Sequence, residues 1–121
     1  MDLSIEHTRI PGLLVVRRPV HRDARGWFTE SWQRAKMVAA GLPDFGPVQH
    51  NVSHNASRGA TRGIHAEPWD KLVTVVHGRV FGAWVDLRAG AGLGATFTLE
   101  VEPGTAVFVP RGVGNSYQAL A

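Results

Sequence analysis

Three side chains capable of acid–base or electrostatic chemistry lie close together in the middle of the sequence. Arg62, His65 and Lys71 fall within ten residues, and small or apolar neighbours flank His65. An imidazole has an ordinary pKa of about 6.5, so it can take up a proton near neutral pH. Arginine and lysine can stabilise negative charge that develops beside such a base. The stretch predicts a catalytic base among cationic groups; the alternatives are a hydrogen-bonded structural histidine and a surface lysine at a strand end.

The elements that must position these residues are short strands separated by turns rich in glycine and proline. Strands recurring about every 8–12 residues are typical of a β-sandwich or barrel. One short helix is predicted over 33–40, with Ser31 or a neighbour as its N-cap and Gly41 as its stop. The longest β pattern, 71–88, is interrupted by His77-Gly78, which predicts a hairpin turn there.

Two further patterns concern the direction of polar side chains. Alternation over 48–53 predicts a strand with Gln49, Asn51 and Ser53 on one face, lining a cavity. Arg62 and His65 have opposite parity, so a regular strand would point them to opposite sides. Both face one cavity only if a bulge or turn at Gly63 re-aims the chain.

Length and composition narrow the class of protein. With 121 residues, 44% of them hydrophobic and 19% charged, we expect one globular domain. The absence of cysteine excludes disulfides and cysteine-ligated metals, and favours a reducing compartment. No leader-like segment begins the sequence and no apolar run reaches membrane-spanning length. We therefore expect a cytoplasmic protein without a membrane partner.

The charged residues favour a small anionic ligand. The net charge is +3, and all 13 basic residues except Lys36 and Lys71 are arginine. The planar guanidinium suits bidentate contact with phosphate. The arginines are scattered rather than clustered, which argues against nucleic acid as a partner. For any single arginine the alternative is a solvated surface side chain.

Six blocks of sequence, in their order and spacing, resemble those of dTDP-4-dehydrorhamnose 3,5-epimerases. The blocks are Asp-Ala-Arg-Gly-Trp-Phe-Thr-Glu from Asp23, Gln-His-Asn-Val-Ser from Gln49, Arg-Gly-Ile-His from Arg62, Lys-Leu-Val from Lys71, Val-Asp-Leu-Arg from Val85 and Val-Pro-Arg-Gly from Val109. The resemblance implies an all-β, cupin-type jelly roll, or double-stranded β-helix, with the one short helix near 33–40. It also implies a homodimer that needs no metal or other cofactor.

The activity that this resemblance implies is inversion of carbons 3 and 5 of dTDP-4-dehydro-6-deoxyglucose, on the route to dTDP-rhamnose. A base would remove a proton next to the ketone to give an enolate, and reprotonation would follow from the other face. Two other functions remain open. One is a related 3-epimerase or ketoisomerase acting on a dTDP-keto-sugar, and the other is a non-catalytic module that binds nucleotide sugars.

The resemblance also implies roles for individual residues. His65 occupies the position of the base and Lys71 that of a lysine near the sugar ketone, so both are candidate catalytic residues. The candidate substrate-binding residues are Arg62 near the enolate oxygen or the diphosphate, Arg25 and Glu30 at the nucleotide, Gln49 and Asn51 in the pocket, Trp27 as a stacking surface or a core residue, and Asn115 where the family has a second pocket histidine.

Two expectations concern what this sequence lacks relative to such proteins. Metal-binding cupins have a His-x-His pair, whereas this chain has His65-Ala66-Glu67, so we predict no metal site. The family's catalytic tyrosine and the aspartate that orients its base would lie past Ala121, since Tyr117 aligns with a phenylalanine. We therefore expect residues 1–121 to be a single jelly-roll domain truncated at its C-terminus, with Asp86 or Glu67 as the remaining candidates for the aspartate. An edge left unpaired would be covered by strands exchanged within a homodimer.

Overall fold

The computed structural model describes residues 2–121, which form ten strands and one helix. In chain order they are β1 (Ser4–His7), β2 (Leu14–Arg17), β3 (His21–Asp23), β4 (Gly26–Phe28), α1 (Arg34–Ala40), β5 (Thr61–His65), β6 (Lys71–Thr74), β7 (Val80–Asp86), β8 (Thr96–Val101), β9 (Thr105–Val109) and β10 (Val113–Ala119). This composition and the arrangement of the strands confirm the predicted all-β jelly roll. No helix among the described residues is long and apolar enough to span a membrane.

Two four-stranded antiparallel sheets form the body of the molecule. The first sheet has the order β1-β2-β9-β6 and the second the order β5-β10-β7-β8. Strands β3 and β4 pair only with each other and form a separate hairpin, here called the β3–β4 hairpin. All six residues of its two strands are exposed.

The core explains why residues 106–109 of β9 are all apolar rather than alternating with polar residues. Val107 and Val109 on one face of β9 belong to the cluster between the two sheets, together with Trp84 of β7. Phe108 on the other face packs with Met37 of α1 and with other buried residues outside the sandwich. Each fully buried side chain of this size contributes about 1.5–3 kcal/mol. A strand covered on both faces needs apolar residues at every position.

The helix begins and ends where the sequence predicts. The Gln33 side chain is the N-cap and accepts a hydrogen bond from the backbone N–H of Lys36 at 2.7 Å. Gly41 has a φ of +117°, a left-handed conformation that ends the helix. The cap is therefore the first residue of the predicted range rather than Ser31.

The predicted hairpin at His77-Gly78 is wrong. Strand β6 pairs with β9 in the first sheet, whereas β7 pairs with β8 and β10 in the second. Residues 75–79 therefore cross from one layer of the sandwich to the other. A turn between two apolar strands is compatible with a hairpin within one sheet and with a crossing between two packed sheets. In both arrangements the apolar side chains of the two strands face the same core.

The predicted strand over 48–53 is also wrong. These residues have no strand partner among residues 2–121, and the side chains of Val48 and Val52 are 98% and 78% exposed. Alternation of polar and apolar residues does not make a strand without a neighbour to accept and donate its backbone hydrogen bonds. Residues 42–60 form an irregular segment instead.

Candidate active site

A row of four side chains crosses the inner face of the second sheet. His65 of β5 is the direct partner of Asn115 of β10, which is also the partner of Trp84 of β7; Trp84 in turn pairs with Phe97 of β8. Directly opposed residues of antiparallel strands project to the same face. Trp84 is buried in the core. His65 therefore occupies the outer end of a row that starts in the hydrophobic core.

Asn115 links the core to the exposed end of this row. Its Oδ1 accepts a hydrogen bond from Trp84 Nε1 at 2.7 Å. The indole is thus satisfied and holds the amide in one orientation. The side-chain nitrogen of Asn115, Nδ2, is a further hydrogen-bond donor. Its role in binding substrate stays a prediction.

A bulge in β5 turns Arg62 and His65 to the same face, as the sequence analysis required. Asn115 is opposite His65 and Tyr117 is opposite Arg62, so β5 has one more residue than β10 between these two pairs. Gly63 lies in the bulge with a φ of +106°. A Cβ atom there would lie 2.6 Å from the carbonyl oxygen of Asn115 and 2.9 Å from the Cα of Ser116. Only glycine fits this approach of the two strands.

A hydrogen-bonded group at Tyr117 joins the irregular segment to the second sheet. The Tyr117 hydroxyl is 2.6 Å from Ser53 Oγ and accepts from Asn55 Nδ2 at 3.2 Å. Arg62 Nε donates to Asn55 Oδ1 at 2.8 Å, and Arg62 Nη2 donates to the His54 carbonyl at 3.3 Å. Arg62 is therefore oriented by the irregular segment as much as by its own strand.

Sequence reasoning missed this group. Tyr117 lies two positions after Asn115 on one strand, so the period of two places both side chains on the inner face. Asn55 and Ser53 have no comparable pattern, because the segment that contains them is irregular.

Lys71 reaches the site from the other sheet. It is the partner of Val109 and shares a face with Val73, and both valines pack into the cluster between the sheets. Residues 66–70 connect the end of β5 to the start of β6, so His65 and Lys71 lie at the same end of the sandwich. A depression of about 500 Å³ lies along this connection; its lining residues are Ala66, Glu67, Pro68, Arg88, Arg111 and Gly112.

The two cations of the site have no carboxylate partner among residues 2–121. Seven ion pairs occur in this part of the chain, and neither Arg62 nor Lys71 takes part in one. The contacts of Arg62 are with neutral oxygens. Within residues 2–121, no carboxylate therefore competes with an anionic ligand for either side chain.

Asp86 is not available to orient His65, which removes one of the two candidates for the missing aspartate. Its carboxylate accepts from Nε and Nη2 of Arg88 at 2.9 and 3.2 Å and from the Arg88 backbone N–H at 3.0 Å. The hydrogen bonds from the Arg88 side chain hold the pKa of Asp86 below its ordinary value. Glu67 lies at the depression described above.

The candidates for nucleotide binding lie outside the two main sheets. Arg25 follows β3 and pairs with Asp23 at 2.6 Å, and its side chain is 90% exposed. Trp27 of β4 is 42% exposed, so the alternative of a core residue is wrong and the stacking role stays a prediction. Glu30 accepts from Lys36 Nζ at 3.1 Å.

Gln49 and Asn51 lie in the irregular segment, not on a strand. Both are exposed, and Gln49 Nε2 is 3.5 Å from Asn51 Oδ1. Their side chains are neighbours, but no regular ladder fixes them. Their place in a pocket stays a prediction.

No group of three or more histidine, cysteine, aspartate or glutamate side chains suited to a metal ion occurs within residues 2–121. The predicted absence of a metal stays a prediction.

Comparison with known proteins shows the family to which the chain belongs. The family model for dTDP-4-dehydrorhamnose 3,5-epimerase matches residues 7–121. The chain belongs to this family. The match to the epimerase family includes β2 to β10 and every candidate residue named above.

Two relatives and one solved structure define the likeness to epimerase-family members. A protein described as an RmlC homolog of Streptococcus pyogenes is 45% identical, over 96% of this chain and 61% of the relative. The dTDP-4-dehydrorhamnose 3,5-epimerase of Methanothermobacter thermautotrophicus is 32% identical, over 94% of this chain and 64% of the relative. The structure of RmlC from Streptococcus suis in complex with dTDP-D-xylose superimposes with a TM-score of 0.95 at 43% identity, covering 100% of this chain and 65% of that one. The chain thus spans less than two thirds of the length of each.

Proposed function

We propose that this protein is a dTDP-4-dehydrorhamnose 3,5-epimerase, which inverts carbons 3 and 5 of dTDP-4-dehydro-6-deoxyglucose in dTDP-rhamnose biosynthesis. The observation that supports it most is that His65 and Arg62 share one inner face while Lys71 lies on the facing sheet at the same end. A base between two unpaired cations suits removal of a proton from an anionic keto-sugar. The dTDP-D-xylose bound to the Streptococcus suis relative supports a nucleotide sugar as the ligand.

The proposed mechanism uses the ketone at carbon 4, which acidifies the protons on carbons 3 and 5. His65 removes one of these protons, and the electron pair of the broken C–H bond delocalises onto the ketone oxygen as an enolate. Lys71 or Arg62 donates a hydrogen bond to that oxygen and stabilises its negative charge. A proton from water then bonds to the opposite face of the same carbon as the enolate reverts to the ketone, which inverts that carbon, and His65 releases its proton to water.

The remaining candidates have binding roles in this proposal. Arg25 neutralises the diphosphate once it exchanges Asp23 for the ligand, and Glu30 accepts hydrogen bonds from the nucleoside. Trp27 offers an exposed ring for stacking on thymine. Gln49, Asn51 and Asn115 supply neutral donors and acceptors for the sugar hydroxyls.

The test is proton NMR of dTDP-4-dehydro-6-deoxyglucose in deuterated water with the wild-type chain, His65→Ala and His77→Ala. His77 is an exposed histidine in the crossing segment 75–79, so it controls for the general effect of removing an imidazole. We expect deuterium at carbons 3 and 5 with wild type and His77→Ala, and at least a thousandfold slower incorporation with His65→Ala.

Other outcomes of the same experiment distinguish the alternatives. Deuterium at carbon 3 alone would identify a 3-epimerase. Line broadening of the ligand without exchange would identify a binding module, and equal rates for His65→Ala and wild type would refute the assignment of the base.

We further propose that the protein is a homodimer in which strands are exchanged between copies. The β3–β4 hairpin pairs only with itself in residues 2–121 and exposes 42% of Trp27 and 68% of Phe28. Large aromatic side chains on an isolated hairpin are more stable when covered by a partner. Light scattering at micromolar concentration should give twice the monomer mass, with a shift toward the monomer for Phe28→Ser. A monomeric wild type would contradict the proposal.

We also propose that residues 1–121 form one jelly-roll domain and that the protein is cytoplasmic. The proposal of one domain rests on the hydrophobic cluster that the two sheets share. The proposal of a cytoplasmic location rests on the absence of cysteine from the 121 residues.

A further inference from the structure

Arg18, directly after β2, is a buried cation. Its residue is 3% exposed, and its Nη1 donates to the backbone and side-chain oxygens of Ser31 at 3.2 and 3.1 Å. Nη2 lies 3.5 Å from the carbonyl oxygen of Thr105. The Nε atom is buried and has no partner among residues 2–121. Every acceptor around the guanidinium is thus neutral.

The charge of Arg18 has no counter-ion in the described chain. None of the seven ion pairs among residues 2–121 includes it. Arginine remains protonated even where burial lowers its pKa, as burial does here. A buried charge is costly unless an opposite charge compensates it, so this position favours an incoming anion.

A cavity adjoins this side chain. Its volume is about 320 Å³, and its lining residues are Arg17, Arg18, Pro19, Val20, His21, Pro103, Gly104 and Thr105. All of the ionisable side chains in this lining are basic. Arg17 is partly neutralised by Glu6 at 2.8 Å, whereas Arg18 is not.

This cavity is separate from the candidate active site. Thr105, at the start of β9, pairs with Arg17, and Val109, at the end of β9, pairs with Lys71. Four residues of strand span roughly 14 Å. An anion at Arg18 would therefore not occupy the position proposed for the sugar ketone.

We propose that this cavity, which we call the Arg18 cavity, binds an oxyanion, a carboxylate or phosphate group. Arg18 supplies the buried charge, and Arg17 and His21 supply further donors in the lining. The oxyanion comes either from a free small molecule or from an acidic side chain of a second copy of this chain. In both cases the oxyanion binds the guanidinium that already contacts Ser31, just after the β3–β4 hairpin, and Thr105 of the first sheet.

The experiment is a titration of the full chain with inorganic phosphate and with acetate at constant ionic strength set by sodium chloride. The Nε–Hε resonances of arginine are followed by ¹⁵N NMR, and that of Arg18 is assigned by its absence in Arg18→Lys. The matched control is Arg22→Lys, an exposed arginine of β3. We expect a saturable shift of the Arg18 resonance in wild type and Arg22→Lys, and at least tenfold weaker phosphate binding in Arg18→Lys.

The design distinguishes the two sources and can refute the proposal. A shift of the Arg18 resonance with protein concentration, without response to phosphate or acetate, would identify a carboxylate from a second copy. An Arg18 resonance that responds to neither the anions nor protein concentration overturns the proposal. So does equal phosphate affinity in Arg18→Lys and wild type. If Arg18→Lys fails to fold, the Arg18 resonance is assigned in wild type by through-bond correlation to its own backbone, and its response to the anions gives the same answer.

Discussion

Two Asp-x-Arg motifs adopt the same local geometry in different surroundings. Asp23 accepts from the backbone N–H and Nη2 of Arg25 at 2.8 and 2.6 Å, beside the turn of the β3–β4 hairpin. Asp86 accepts from the backbone N–H and Nε of Arg88 at 3.0 and 2.9 Å, at the end of β7. The aspartate side chain is 50% exposed in the first motif and 5% in the second.

The difference shows that burial, rather than the motif, decides whether such an ion pair contributes to stability or leaves its arginine available for a ligand. Water and salt screen the exposed pair, so it contributes little to stability and Arg25 can exchange Asp23 for a ligand. Arg88 also donates to the Pro11 carbonyl at 2.6 Å, and a Cβ on Gly112 would lie 2.7 Å from its Cγ. Through these Arg88 contacts, the pair connects the end of β7 to the Pro110-Arg111-Gly112 turn and to the residues before β2.

Among the substitutions that test this difference, Asp86→Ala should have the largest effect on stability. Removing the carboxylate leaves the Arg88 guanidinium without its counter-ion, but about a third of that side chain is exposed, so we expect the free energy of unfolding to fall by about 3 kcal/mol, the low end of the range for breaking a buried pair. Guanidinium chloride unfolding, followed by tryptophan fluorescence, measures it. A loss below about 1 kcal/mol would mean that water compensates Arg88 as well as the carboxylate does.

The β3–β4 hairpin and the second sheet, which contains Asp86, also differ in how much stability depends on a glycine. Gly63→Ala introduces a side chain at a φ of +106° against the backbone of Asn115 and Ser116, so we expect a loss of about 3 kcal/mol. Gly26→Ala, in the β3–β4 hairpin, meets no atom within 4 Å, so only its φ of +137° should cost stability, about 1 kcal/mol. Thermal unfolding of both variants compares them. Equal losses would contradict the close approach of β5 and β10.

Acid should weaken the buried pair selectively. The Arg88 side chain lowers the pKa of Asp86 in the folded state, so its stabilisation is complete above the unfolded pKa of about 3.9. This stabilisation is lost as the pH falls through the folded value. We therefore expect the difference in unfolding free energy between wild type and Asp86→Asn to be constant above about pH 5 and to shrink below about pH 4. Denaturation at a series of pH values checks this, and an unchanged difference at pH 3 would be inconsistent with it.

The smallest effect should come from Asp23→Ala. Arg25 lowers the pKa of Asp23 too, but the pair is exposed and screened. We expect no measurable change in the melting temperature at physiological salt. A clear destabilisation would show that the hairpin depends on this pair for its structure and not only for the orientation of Arg25.

The sequence predicted the elements whose structure depends on local residues. The helix over 33–40 has its stop at Gly41, and the bulge at Gly63 is the condition that the opposite parity of Arg62 and His65 sets for the two side chains to share a face. The all-β class followed from the spacing of strands and turns. In each case the residues that determine the element are neighbours in the sequence.

The failures concern partners distant in sequence. Which sheet β6 joins depends on β9, more than thirty residues later, so the turn at His77-Gly78 was assigned to a hairpin. Residues 48–53 have no partner strand among residues 2–121, and the local alternation of polar and apolar residues could not reveal this. Asp86 as a candidate for orienting His65 is a different case: its partner Arg88 is only two residues away, but the sequence does not show that the chain turns there and brings the guanidinium to the carboxylate.

The group at Tyr117 has a practical consequence. Tyr117 is the only tyrosine of the 121 residues, and its hydroxyl is bonded to Ser53 and Asn55 of the irregular segment. A single ¹³C label on tyrosine Cζ would therefore give one resonance that is free of overlap. That resonance would report whether the segment with Gln49 and Asn51 stays docked on the second sheet when a nucleotide sugar is added.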